Sequence, residues 1–119
     1  MSYDIEIMNL RNSKPEYPWD FKIDRTSPVG NPFKLSTEMS RDRSCNLYHK
    51  YVYAVWGIKY KAHPEFIEYI KDMVRVLKEY KKLRLFCWCA PLRCHGESLG
   101  ELIKEVGGYT DGPSNITTT

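Results

Sequence analysis

Apolar and charged positions alternate at the start of the chain. Tyr3, Ile5 and Ile7 interleave with Asp4, Glu6 and Met8. Successive strand side chains point to opposite faces, so this period of two predicts a half-buried strand over 3–8. Trp19, Phe21 and Ile23 alternate with Asp20, Lys22 and Asp24 and predict a second strand over 19–24. The polar stretch between them, RNSKPEYP, is short enough that the two strands are expected to pair as a hairpin. From 25 to 40 no period survives. Pro28, Gly30 and Pro32 break any regular element there, and a loop of this length in a compact domain is expected to be functional or mobile.

The period then lengthens. Leu47, Tyr48, Tyr51, Val52, Val55 and Trp56 recur at helical spacing from about Ser40 to Gly57. Pro64 suits the first turn of a second helix and Glu65 complements the dipole at its start. Phe66, Ile70, Met73, Val74 and Leu77 continue that helix to about 80. LRLFCWC, 83–89, is a near-continuous apolar run of strand length, the pattern of a strand buried on both faces. Leu99, Leu102, Ile103 and Val106 predict a third helix over 97–106, stopped by Gly107 and Gly108. Residues 109–119 lack apolar content and are expected to form a flexible C-terminal tail. The order of elements predicts a single α/β domain over 1–108: a small two-layer or three-layer sandwich, its sheet mixed or parallel, with three main helices.

Composition narrows the partners. A chain of 119 residues, 42% apolar and 28% charged, fits one globular domain able to bury a core. The formal charge of +3 admits an anionic partner but falls short of a nucleic-acid footprint, so nucleic acid is not expected. No apolar run reaches the roughly 18 residues a membrane helix needs, and no membrane partner is expected. MSYDIEIMNLRNS carries early acids and no signal-like apolar block, so the expected location is the cytoplasm. The four cysteines are then expected to stay reduced. No cofactor is expected, and a homo-oligomer stays open.

CWCAPLRCHG, 87–96, holds the densest chemistry. Cys87, Cys89, Cys94 and His95 are candidate zinc ligands, but structural zinc sites usually pair Cys-x-x-Cys knuckles, and this block does not. Zinc is therefore the less favoured reading. Cys94, beside His95 and Arg93 and ahead of a helix, is a candidate nucleophile, because a helix dipole and nearby cations lower a thiol's pKa. The favoured reading of Cys87 and Cys89 is structural: small fillers on one face of a buried strand, with Phe86 and Trp88 on the other. The turn itself, bracketed by Pro91 and Gly96, is the preferred site. Unpaired N–H groups of Gly96, Glu97, Ser98 and Leu99 would bind an anion, with Arg93 and His95 adding charge-assisted bonds.

GNPF, 30–33, is the second candidate. Pro32 biases Asn31 to an extended backbone, which leaves its amide able to meet a ligand edge, and Phe33 could stack on a base or anchor the loop. Arg11, Arg25, Arg41 and Arg43 fall in loops or near element ends, where ligand sites of α/β folds form, and guanidinium forks suit phosphate.

Taken in order, NLR at 9–11, Arg25, GNPF, Arg41, YHKYV at 48–52 and CWCAPLRCHG resemble an uncharacterised phage and prokaryotic family, a domain of unknown function marked by Asn-x-Arg, Arg…GNPF and CWCxPxxCHG. The resemblance spans about 8 to 104. It implies a small Rossmann-like α/β domain and a phage or prokaryotic origin, and supplies no activity.

The expectation for function joins these clues. Asn9, Arg11, Arg25, Gly30, Asn31, Arg41, Arg93, Cys94, His95, Gly96, Glu97 and Ser98 are expected to line one pocket for a phosphorylated, nucleotide-like small molecule. In one version a phage protein sequesters a nucleotide signal. In another, a small enzyme performs N-glycosidic or phosphoester chemistry, with Glu97 or Asp24 as acid or base and Cys94 or His95 as further catalytic candidates. Whether the chain is an enzyme stays open. A third class is a zinc-binding or protein-interaction module, with Tyr51, Tyr53 and Trp56 as an aromatic patch.

Overall fold

The structure, a computed structural model, describes residues 3–58, 63–89, 92–108 and 114–118. Its elements are β1 (Tyr3–Asn9), β2 (Asp20–Lys22), α1 (Arg41–Ile58), α2 (Pro64–Tyr80), β3 (Lys82–Cys87), α3 (Gly96–Gly107) and β4 (Ser114–Thr118). The link 59–62, Pro91 of the turn and the segment 109–113 lie outside the described residues.

The strands form one sheet in the order β2-β3-β1-β4, and every pairing is parallel. The expected hairpin of β1 and β2 is therefore corrected: β3 lies between them. Its sequence explains why. Leu83, Leu85, Phe86 and Cys87 are all buried, so β3 is covered on both faces and takes an interior place with a neighbour on each side. β2, with only its short Asp20–Lys22 stretch, is left at the edge.

Connection handedness places the layers. The steps β2 to β3, through α1 and α2, and β3 to β4, through α3, cross the sheet in the same direction. Right-handed crossovers then put all three helices on one face. The step from β1 to β2 runs the opposite way and crosses the other face. There the Arg84 guanidinium sits 5.5 Å from the Tyr17 ring, and the Lys82 ammonium 4.6 Å from the Trp19 ring. The domain is thus a two-layer α/β sandwich, with a loop as the only cover of its second face among the described residues.

Ile5 and Ile7 stand opposite Leu83 and Leu85 in register and face the helices. Tyr48, Val52 and Val55 of α1, Ile67, Ile70 and Leu77 of α2, and Leu99, Leu102 and Ile103 of α3 complete the core. α3 lies close on the sheet because Gly96 has no side chain. A Cβ there would stand 2.9 Å from Ile23 Cδ1 and 3.2 Å from Ile7 Cδ1. α2 stops at Lys81, which takes a left-handed backbone and donates its N–H to the Leu77 carbonyl, so β3 follows at once.

Ser114–Thr118, within the segment expected as a tail, pairs in parallel with Tyr3–Ile7. Ladder bonds use backbone groups, so an edge strand needs no apolar signature. Tyr51, Tyr53 and Trp56 of the expected aromatic patch are partly buried, each packed against the core.

Candidate functional site

β3 ends at Cys87, short of the expected 89, and the chain bends at Trp88 and Cys89. The face assignment for Trp88 changes with it. Trp88 is 54% exposed, and its indole N–H donates to Asp24 Oδ2 at 3.1 Å. The following turn brings Cys94 back beside the strand end. The Cys94 thiol donates to Cys87 Sγ at 2.9 Å, and the sulfurs of Cys87, Cys89 and Cys94 all lie within 4.8 Å of one another. Cys87 and Cys94 are buried, whereas Cys89 is half-buried. No disulfide joins the four cysteines, and Cys45 of α1 lines a cavity together with these three sulfurs.

That cavity, about 330 Å³, sits beyond the carboxyl ends of β2 and β3. The three sulfurs, Trp88 and His95 line it together with Phe33, Leu35, Ser44 and Cys45. Arg25, Lys34, Arg41 and Arg93 line it as well, and Asp24 is its one lining carboxylate among the described residues.

The thiols differ in electrostatics. Hydrogen bonding with Cys87 and Cys89, with burial added, pushes Cys94 far above the ordinary thiol range, so it stays protonated. Cys89 moves the other way: hydrogen bonds from Cys87 and Cys94, and then the Arg41 guanidinium, favour its thiolate against burial. Of the three, Cys89 is the half-buried thiol that meets the Arg41 guanidinium, while Cys94 is buried against Cys87.

His95 is fixed by its Nε2–H, which donates to the Ile23 carbonyl at 2.6 Å. Burial lowers its pKa and keeps the imidazole neutral. Its Nδ1 lone pair then faces Cys94 Sγ at 3.6 Å. Asp24 is committed too. Burial raises its carboxyl pKa, but hydrogen bonds from Thr26 and Trp88, with the Lys22 charge, outweigh that and hold it below the usual carboxylate value. Asp24 is thus an ionised anchor for its loop and for Trp88, not a proton donor.

The helix start does not offer the expected row of unpaired donors. The Gly96 N–H donates to Cys94 Sγ, that of Glu97 to the Cys94 carbonyl and that of Leu99 to the His95 carbonyl. Glu97 and Ser98 face a neighbouring open cleft of about 590 Å³, which shares Cys45, Arg93 and Cys94 with the cavity and where Ser98 Oγ lies 3.1 Å from His49 Nδ1. Both the His49–Ser98 contact and the His49–Glu101 ion pair use His49 Nδ1, so the trio is not a relay in series.

The GNPF loop is built to hold itself. Asn31 donates to Ser44 Oγ at 3.0 Å and accepts the Phe33 N–H at 2.8 Å, so its amide ties the loop to α1. A Cβ at Gly30 would stand 2.6 Å from Arg25 Cα and from the Asp24 carbonyl, so only glycine fits that backbone approach. Asn9 reaches from β1 to the Trp88 carbonyl and accepts the Arg11 N–H. Arg11 is exposed, outside the cavity, and Arg43 reaches the Glu38 carbonyl.

Of the expected pocket set, the structure brings together Arg25, Asn31, Arg41, Arg93, Cys94 and His95. Asn9, Arg11, Gly30, Gly96, Glu97 and Ser98 do not line that cavity. Ser44 and Cys45 were missed. They precede Tyr48 by four and three positions, so extending the helical stripe by one turn finds them.

Arg93 is partly spent on Asp42 at 3.0 Å and Asn46 at 2.8 Å. Among the described residues Arg25 meets the Asn31 carbonyl, and Arg41 the Arg93 carbonyl and the Cys89 sulfur. Neither pairs with a carboxylate among the described residues.

A family model described as Domain of unknown function (DUF4326) matches residues 8–105. No curated protein and no solved structure matches the chain.

Proposed function

Since the chain belongs to that family, whose description assigns no activity, we propose a function from the cavity: it binds a phosphorylated nucleotide or nucleotide-derived small molecule without turning it over. One observation carries this reading. Arg25 and Arg41 line a single, largely apolar cavity at the carboxyl ends of parallel strands, and neither has a carboxylate partner among the described residues. Phosphate oxygens would neutralise both through forked hydrogen bonds. Trp88 and Phe33 give flat walls for a base, and the position is where open α/β sheets take ligands.

The anion site thus moves from the helix start to the arginines on α1 and the GNPF loop. Asp24 is held ionised by Thr26 and Trp88 and Glu97 lines the neighbouring cleft, so neither is placed to donate a proton in the cavity; that favours a binder over an enzyme. A phage protein that sequesters a nucleotide signal in the host cytoplasm has this form, and the free thiols fit a reducing compartment.

Native against denatured mass of the purified chain tests it, followed by calorimetric titration with nucleoside mono-, di- and triphosphates and cyclic dinucleotides. The expected result is a nucleotide-sized mass excess, or saturable binding that Arg41→Ala weakens at least about tenfold. The reading fails if no such ligand binds, or if Arg25→Ala and Arg41→Ala together leave binding unchanged.

A further inference from the structure

We propose that Cys87, Cys89 and Cys94 form a three-thiolate centre for one thiophilic divalent cation of the zinc class, its fourth position open to the cavity. This does not rest on the nucleotide reading. The three sulfurs already lie within 4.8 Å of one another. In a tetrahedral site with zinc–sulfur bonds near 2.3 Å, the sulfurs stand about 3.8 Å apart. Closing the site therefore takes side-chain shifts of about 1 Å, with Cys87 and Cys94, which stand at 2.9 Å, moving apart.

The fold supplies the convergence that the spacing lacks. Cys87 is the last residue of β3, Cys89 sits in the bend, and Cys94 immediately precedes His95 at the start of α3. The return of the turn to the strand end does what a second Cys-x-x-Cys knuckle does elsewhere. A donor set of sulfur alone selects zinc or cuprous ion over calcium or magnesium.

The surroundings fit a bound ion. Three thiolates around a dication carry a net charge of about −1, which Arg41 offsets through its hydrogen bond to Cys89, with Arg25 and Arg93 lining the same cavity. On entry the ion displaces the thiol protons to solvent. His95 holds its Nε2–H on the Ile23 carbonyl and turns Nδ1 to the sulfurs, which is how a histidine beside a metal is usually oriented. Cys87 and Cys94 are buried while Cys89 is half-buried at the cavity wall, so the uncoordinated side of the ion faces the cavity.

The test is titration of the reduced, chelator-stripped full chain with Co2+, without nucleotide, followed by displacement with Zn2+. One equivalent should bind with a near-ultraviolet thiolate-to-cobalt band, and imidazole added to the cobalt form should shift its visible bands. Cys89→Ser should weaken binding at least about 100-fold, and Cys45→Ser should leave it unchanged. Far-ultraviolet circular dichroism checks that each protein is folded. A folded wild type that takes up no stoichiometric Co2+ overturns the site, as does a Cys89→Ser chain that binds equally well. Visible bands that ignore imidazole overturn the open position. Metal uptake without nucleotide binding leaves this centre standing and removes only the nucleotide reading.

Discussion

The two ends of β3 put the same residue type to opposite uses. Near its start, Arg84 meets Asp20 in a two-pronged pair at 2.7 and 2.9 Å, with Tyr17 and Phe86 rings against the guanidinium. The Asp20 side chain is fully covered. Past its end, Arg25 and Arg41 face a cavity with only carbonyls and a sulfur as partners. A cation closed on its own carboxylate is part of the fold. A cation that lacks one carries charge for something else to neutralise. The same contrast appears in the aromatics: Trp19 is packed beneath Tyr17 and Tyr80, whereas Trp88 is held at the cavity rim by one bond to Asp24.

The sharpest way to break this contrast is to remove one cation from each end. Arg84→Ala should destabilise the chain by roughly 3 kcal/mol in urea unfolding, because it strands a covered carboxylate. Acid should act through the same pair. Burial raises the Asp20 pKa, but the Arg84 bond and the Glu16 and Tyr17 N–H groups outweigh that and set it below the ordinary aspartate value of 3.8. A depressed folded-state pKa contributes stability that is fully present above the unfolded value and lost as pH falls through the folded one. Stability of the wild type should therefore fall below about pH 4, whereas the cost of Arg84→Ala should shrink in that range, because protonation neutralises the stranded carboxyl, as read by unfolding midpoints against pH.

Two glycines test the frame of the cavity. Gly30→Ala should cost roughly 2 kcal/mol and disturb ligand binding, because its Cβ meets rigid backbone at 2.6 Å. Gly96→Ala should cost less, about 1 kcal/mol, because Ile23 Cδ1 and Ile7 Cδ1 are side-chain ends that can move. Thermal melts of the two variants check the order. The smallest stability effect should come from Arg41→Ala, within about 0.5 kcal/mol of wild type, while its ligand binding falls. An Arg41→Ala chain as unstable as Arg84→Ala would erase the difference between the two ends.

Much of the fold was legible because it follows from short-range periods. β1 and all of the helices appear where alternation and helical stripes place them, and Pro64 and Gly108 mark real boundaries. The double-faced apolar run correctly marked β3 as buried. The hairpin reading failed because loop length says which strands can pair, not which third strand displaces one of them. β4 was illegible because Ser114–Thr118 joins the sheet through backbone bonds. At the site, the arginines and cysteines were recognisable by type. Their grouping was legible only in part: Cys94 and His95 line the cavity with Cys89, whereas Glu97 and Ser98, the next turn along, line a second cleft.

The sequence by itself determined β1, the three helices, the buried central strand and the chemistry concentrated at 87–96, since each is encoded in residues a few positions apart. Only the tertiary structure decided that Arg25, Arg41 and Cys45 meet that block. It also decided that three sulfurs from a strand end, a bend and a helix start converge. The physical reason is separation along the chain. Side chains tens of residues apart become neighbours only when parallel strands align their carboxyl ends and the helices pack on one face of the sheet.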